Sequence, residues 1–116
     1  MSKILFIFMI LYIPFLILNA EIIDNPAGIE FTYTAPNANS VSLVGTFNNW
    51  NNSANPMQKD QNGVWSTVIQ VQAGKYQYKY LADGTWNYDQ DNSETADDGY
   101  GGQNSAFEVG SDGKLV

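Results

Sequence analysis

Short runs of β-branched and aromatic residues, cut at close intervals by Asn-Gly, Ala-Gly and Asp-Gly, leave this chain few folds to choose from. Trp65, Thr67, Ile69 and Val71 fall on one phase of their run, with Ser66 and Gln70 on the other. Tyr76, Tyr78 and Tyr80 alternate in the same way with Gln77 and Lys79. A period of two puts each set on one face of a strand, and no window repeats at the helical period. Strands are predicted over 29–34, 40–47, 64–71, 75–82, 85–88 and 105–109, with weaker candidates at 57–59 and 114–116. Asn62-Gly63, Ala73-Gly74 and Asp83-Gly84 read as hairpin turns, since these pairs tolerate the positive φ that a tight turn requires. Short antiparallel strands at this spacing predict an all-β, immunoglobulin-like antiparallel β-sandwich. The polar stretch 89–104 is expected to be a long loop, and loops of that length in small domains usually carry function.

The amino terminus has a different character. Lys3 precedes an apolar run, 4–18, broken only by Tyr12 and Pro14 and followed by Asn19-Ala20. A basic start, an apolar centre and a small residue at the cut make up a secretory signal peptide. The 15-residue run is short for a spanning helix, which needs about 20 residues, so an uncleaved anchor is the second reading. Residues 1–20 are therefore expected to be removed, 21–27 to form a short tether containing Pro26, and 28–116 to form the folded module. The mature protein is then secreted or periplasmic. The chain has no cysteine, which excludes disulfides and closes the bacterial lipoprotein route of anchoring. Without Lys3, four lysines face twelve acidic residues, a formal charge of −8 that repels phosphate backbones and argues against a nucleic-acid partner. With no histidine, His-based acid–base chemistry and most zinc sites are excluded as well.

Three tryptophans divide into two kinds. Trp65 opens an alternating strand and is expected to anchor the core between the sheets, and Phe47 belongs with it. Trp50 ends Gly45-Thr-Phe-Asn-Asn-Trp50 and is followed by Asn51-Asn52-Ser53, with no apolar neighbour in sequence. Trp86 follows the Asp83-Gly84 turn in Tyr76-Gln-Tyr-Lys-Tyr-Leu-Ala-Asp-Gly-Thr-Trp86. A tryptophan on a polar turn either plugs the loop or offers a flat apolar face whose π cloud suits the axial C–H groups of a sugar ring. Lys79 lies opposite in phase to its tyrosines, so it is either a solvated strand lysine or a hydrogen-bond donor to a ligand.

These two stretches resemble the glycogen- and starch-binding modules of the AMP-activated protein kinase β subunit and of branching and debranching enzymes. The resemblance covers roughly residues 28–109 and implies an early-set immunoglobulin-like fold. It implies a contact set made of a tryptophan ending the Phe-Asn-Asn-Trp turn, a lysine in the following tyrosine-rich strand, a tryptophan after Asp-Gly, and an asparagine before the last strand. Here these are Trp50, Lys79, Trp86 and Asn104, in the same order over 55 residues. Two positions depart from the kinase pattern. Tyr100 stands where the kinase module has a leucine that enters the ring of a cyclic or helical glucan, and it either adds a stacking face or narrows the site. Gly102 replaces a threonine two residues before the asparagine.

The acidic loop suggests two other chemistries. Asp89, Asp91 and Ser93 have the spacing that opens a helix–loop–helix calcium site, but Glu94 stands at its glycine position and Tyr100 at its final glutamate. A different calcium site would need Asp89, Asp91, Asp97 and Asp98. A glycosidase pair needs two carboxylates at fixed separation with one pKa raised, and solvated loop aspartates are not expected to supply that. The expected protein is thus an exported, monomeric, non-catalytic carbohydrate-binding module for α-1,4-glucans, without cofactor or metal. Its contacts are Trp50, Lys79, Trp86, Tyr100 and Asn104, and a glucan-active enzyme acting in trans is a candidate partner. Two stacking platforms with water-exposed hydrogen bonds correspond to a dissociation constant of roughly 10–1000 μM. The alternative is a sandwich that docks a secreted enzyme or envelope protein, its sugar site vestigial.

Overall fold

The computed structural model describes residues 20–116. Among the described residues the nine strands are β1 (Ala20–Asn25), β2 (Gly28–Thr34), β3 (Val41–Gly45), β4 (Gln58–Lys59), β5 (Val64–Ile69), β6 (Gly74–Ala82), β7 (Thr85–Asn87), β8 (Thr95–Asp97) and β9 (Gln103–Val109). One sheet runs β1-β2-β5-β4; the other runs β3-β6-β9-β8, with β7 also on β6. All strand pairs are antiparallel, and the two sheets face each other as an immunoglobulin-like β-sandwich.

The period-two reading of the sequence is realised on the inner faces. Tyr78 and Tyr80 on β6 are fully buried, as is Phe31 on β2, and Phe107 on β9 joins them. The Phe31 ring meets those of Tyr78 and Phe107 edge-on at 5.1 and 5.4 Å, and Tyr33 stacks on Tyr80 at 4.5 Å. Edge-to-face and offset contacts of this kind add to the burial of aromatic area. Trp65 takes the expected core position, 6% exposed, opposite Tyr33 in the ladder and donating from its indole nitrogen to Ala35 O at 2.8 Å. Phe47 packs against the same cluster.

Several expectations are corrected. Residues 21–27 are not a tether: 20–25 form β1, a full edge strand paired with β2 from Ala20↔Tyr33 to Asn25↔Gly28. Pro26 and Ala27 are the two-residue turn between them, a place where proline's fixed φ is an advantage. The adjacent Ile22 and Ile23 blur the alternation that would have announced this strand. The apolar run 4–18 lies outside the described residues, and the boundary expected after Ala20 falls on the first residue of β1. Ala73-Gly74 is not a hairpin, because β5 and β6 belong to different sheets and the chain crosses between them there. The strand predicted over 40–47 stops at Gly45, and Thr46–Asn48 is a 3-10 turn. The predicted loop 89–104 contains β8 and the start of β9. The weak candidate 114–116 makes only a single bridge, Leu115 to Val109.

Candidate functional site

Strand β6 is the floor of the site because its partners change along it. On one edge it pairs with β3 over Tyr78–Ala82. On the other it pairs with β9 from Gly74 to Tyr78 and with β7 from Tyr80 to Ala82. Lys79 falls at the junction, between the last residue paired to β9 and the first paired to β7. The pleat sends Tyr78 inward, so Gln77, Lys79 and Leu81 face out, and Trp86, opposite Leu81, shares that face. Val44, opposite Lys79, is fully buried yet lies outside the core cluster.

The turn after β3 brings Trp50 to the same face. Asn48 ties this turn together: its Oδ1 accepts from Gly45 N at 3.1 Å, and its Nδ2 donates to Leu43 O at 3.1 Å and Asn55 Oδ1 at 2.8 Å. Gly45 is obligatory, since a Cβ there would stand 2.3 Å from Gln77 O. Asn49 and Trp50 both adopt left-handed backbone, with φ of 55° and 57°. For a bulky residue this is strained, at a cost of order 1–3 kcal/mol, and it persists only where the surroundings over-determine it. Here the Trp50 N–H is fixed to Gly45 O at 2.8 Å. The Asp83-Gly84 turn, with φ of 48° and 80°, folds β7 back on β6 and delivers Trp86, 45% exposed.

These elements enclose an open cleft of about 660 Å³, within the usual range of ligand sites. Trp50, Lys79, Trp86, Tyr100 and Asn104, the five site residues expected from sequence, all line it. They differ in what they offer. Tyr100 is 94% exposed at the tip of the β8–β9 hairpin. Asn104 is buried, and its Nδ2 donates to Gln77 Oε1 at 2.9 Å, leaving its carbonyl oxygen and a second N–H for a ligand. Lys79 is not a free lysine: its Nζ donates to Asp98 Oδ2 at 2.9 Å. Two ammonium N–H groups remain.

Sequence reasoning missed four other lining residues: Thr46, Gln77, Asp97 and Asp98. Gln77 was detectable, since it shares the phase of Lys79. Thr46 prolongs the β3–β6 ladder through its hydroxyl, which accepts from Gln77 N at 3.0 Å. Asp98 had no sequence signal within its acidic run. Its bonds to Lys79 and to the N–H groups of Tyr100 and Gly102 hold its carboxyl down to about 2.

The expectation that the loop aspartates are all solvated is also corrected. Asp89 is fully buried, accepting from Tyr78 OH at 2.7 Å and Asp91 N at 3.0 Å. Burial raises its pKa, and burial together with the nearby Asp89 charge pushes the Tyr78 phenol well up. Asp98, by contrast, is committed to Lys79. The carboxylates proposed for calcium or for an acid–nucleophile pair are thus divided between the two faces of one sheet. Among the described residues, no three His, Cys, Asp or Glu side chains come together as a metal site.

Residues 27–115 match the family model described as the glycogen recognition site of AMP-activated protein kinase. Relatives include 1,4-alpha-glucan branching enzymes from Pseudoalteromonas atlantica, 42% identical over 71 residues, and Halothermothrix orenii, 41% identical over 58. A second branching enzyme of Rhizobium etli is 44% identical over 59 residues. These alignments take in 53%, 49% and 50% of this chain but only 10%, 9% and 8% of the enzymes.

Proposed function

The chain belongs to the family of the glycogen recognition site of AMP-activated protein kinase, and on that premise we propose that it is an exported, non-catalytic module that holds α-1,4-glucan chains such as glycogen, starch or maltodextrin. The observation that carries this reading is the cleft itself: two tryptophans, a lysine and an asparagine, scattered over 55 residues of sequence, line one concavity. Trp50 and Trp86 stack on glucose rings, and the spare N–H groups of Lys79 and Asn104 bond the hydroxyls. Such contacts in water give weak single-site binding, which becomes useful when a second site or a glucan-active enzyme acts on the same polymer. The module works as a monomer.

Tryptophan fluorescence titrated with maltoheptaose tests the reading, with a β-1,4-glucan oligomer as control. Saturation by the first and not the second is expected, and Trp50→Ala or Trp86→Ala should weaken it at least about tenfold, ~1.4 kcal/mol. Salt should matter little, because a neutral ligand releases no counterions, and chelation should not matter at all. A sandwich that only docks a protein partner would give no response to either sugar.

Export rests on Lys3, the apolar run 4–18 and Asn19-Ala20. Cleavage after Ala20 leaves β1 to begin at Glu21, without the Ala20↔Tyr33 pair and without the bond from Ala20 N to Asp91 Oδ2. Intact mass of the native protein checks this: a species retaining 1–20 in a carbonate-resistant membrane fraction would make it an anchored surface module.

A further inference from the structure

The β8–β9 hairpin poses a problem of its own. Its loop, 98–102, contains Gly99, Gly101 and Gly102, and the first two have φ of 80° and 85°. A loop so rich in glycine has high conformational freedom, yet its tip carries an aromatic ring, Tyr100, that touches almost nothing in the protein. Two side chains restrain it: Asp97 Oδ1 accepts from Gly99 N at 2.7 Å, and Asp98 makes the remaining bonds. Asp98 Oδ1 accepts from Tyr100 N at 2.8 Å and from Gly102 N at 3.0 Å, and the Asp98 N–H closes the loop onto Gly102 O at 3.2 Å. The other oxygen, Oδ2, accepts from Lys79 Nζ on the floor of the cleft. The Gly102 position also follows from this arrangement, since a Cβ there would stand 2.7 Å from Asp98 Oδ2. A threonine at 102 and this carboxylate would compete for one space.

We propose that Asp98 is a positioning residue that clamps the hairpin tip to Lys79 and so turns Tyr100 into a third aromatic wall of the cleft, giving the site its preference for longer glucan chains. The proposal rests on the glucan reading above. Tyr100 is held at the cleft by the loop backbone, because its own ring has no packing partner that could hold it there. Short oligosaccharides engage Trp50 and Trp86 and gain nothing from the clamp. A longer chain reaches Tyr100 and gains a further stacking contact.

The test compares maltotriose with maltoheptaose by calorimetry, and follows the Tyr100 and Gly102 amides by hydrogen exchange in the free protein. Tyr100→Ala and Asp98→Ala should each lower maltoheptaose affinity about five- to tenfold, the lower part of the range for a stacking platform. Each variant should therefore narrow the ratio of maltoheptaose to maltotriose affinity, and the double variant should narrow it no more than either single one, as coupled residues do. Tyr100 is too exposed for its truncation to unfold the domain, and a cooperative urea transition reports the fold of Asp98→Ala. Amide protection should vanish in Asp98→Ala and largely return in Asp98→Asn, which keeps an oxygen for both N–H groups but presents an NH2 that cannot accept from Lys79. Equal losses for both sugars, additive losses in the double variant, or maltoheptaose affinity fully restored in Asp98→Asn, which lacks the bond to Lys79, would overturn the clamp. If the unaltered domain binds neither sugar, the glucan reading and the chain-length preference fall. The exchange arm alone then decides the clamp, and unprotected Tyr100 and Gly102 amides would sink it.

Discussion

Asp89 and Asp98 belong to one acidic stretch, yet they serve opposite faces of the same sheet. Each answers one of two adjacent residues of β6. Tyr78 points inward and donates to Asp89, while Lys79 points outward and donates to Asp98. The chain leaving β7 crosses the edge of the sheet, seals one carboxylate against the core and brings the other to the cleft. Burial raises the first pKa, and a cation with two backbone N–H groups lowers the second. The difference shows that charge on this loop is not a generic solvating feature. One aspartate completes the interior, and the other lines the cleft.

The contrast between inner and outer face can be broken most forcefully with the tryptophans. Trp65→Ala should destabilise the domain by about 3–5 kcal/mol in urea unfolding, because it empties a packed interior. Trp86→Ala should leave stability within ~0.5 kcal/mol, as surface truncations do. If the two variants unfold at the same urea concentration, the assignment of faces is wrong.

The aspartates sharpen the same contrast at smaller scale. Asp89→Ala leaves the Tyr78 hydroxyl buried without its acceptor and should cost about 1–3 kcal/mol. Asp98→Ala should cost less stability than Asp89→Ala, because water replaces what it loses. The order of the two unfolding midpoints checks this.

The smallest effect is in pH, and the two positions should respond with opposite sign. The folded pKa of Asp98 is depressed from 3.8 to about 2, so its contribution is complete above 3.8 and is lost as pH falls through about 2. The stability gap between the unaltered protein and Asp98→Asn should therefore close over that interval. The folded pKa of Asp89 is raised above 3.8, so the fold favours its protonated form. Its advantage over Asp89→Asn should grow as pH falls from neutrality toward 3.8. Parallel pH profiles for the two variants would contradict the division between faces.

How much of this was legible beforehand follows from what a strand writes into sequence. β5 and β6 announce themselves by period, because one side of each is buried in aromatic packing, and the same period separates Trp65 and Tyr78 from Lys79. The two turn motifs ending in Trp50 and Trp86 were visible too, since their backbone requires Asn and Asp-Gly. β8 was not visible: Thr95–Asp97 pairs with β9 through its backbone and buries no apolar stripe, so it leaves no periodic signal. Nor was β1, where two adjacent isoleucines hide which one faces in. The separate tasks of Asp89 and Asp98 were out of reach altogether. By itself the sequence determined the sandwich, its aromatic interior and the residue types offered to a ligand, because these depend on local period and local turn chemistry. Only the tertiary structure decided that five scattered side chains share one cleft and that Asp98 bonds Lys79 on its floor. Those facts depend on pairings 19 residues apart for Lys79 with Asp98 and 27 for Gln77 with Asn104, and no local rule encodes them.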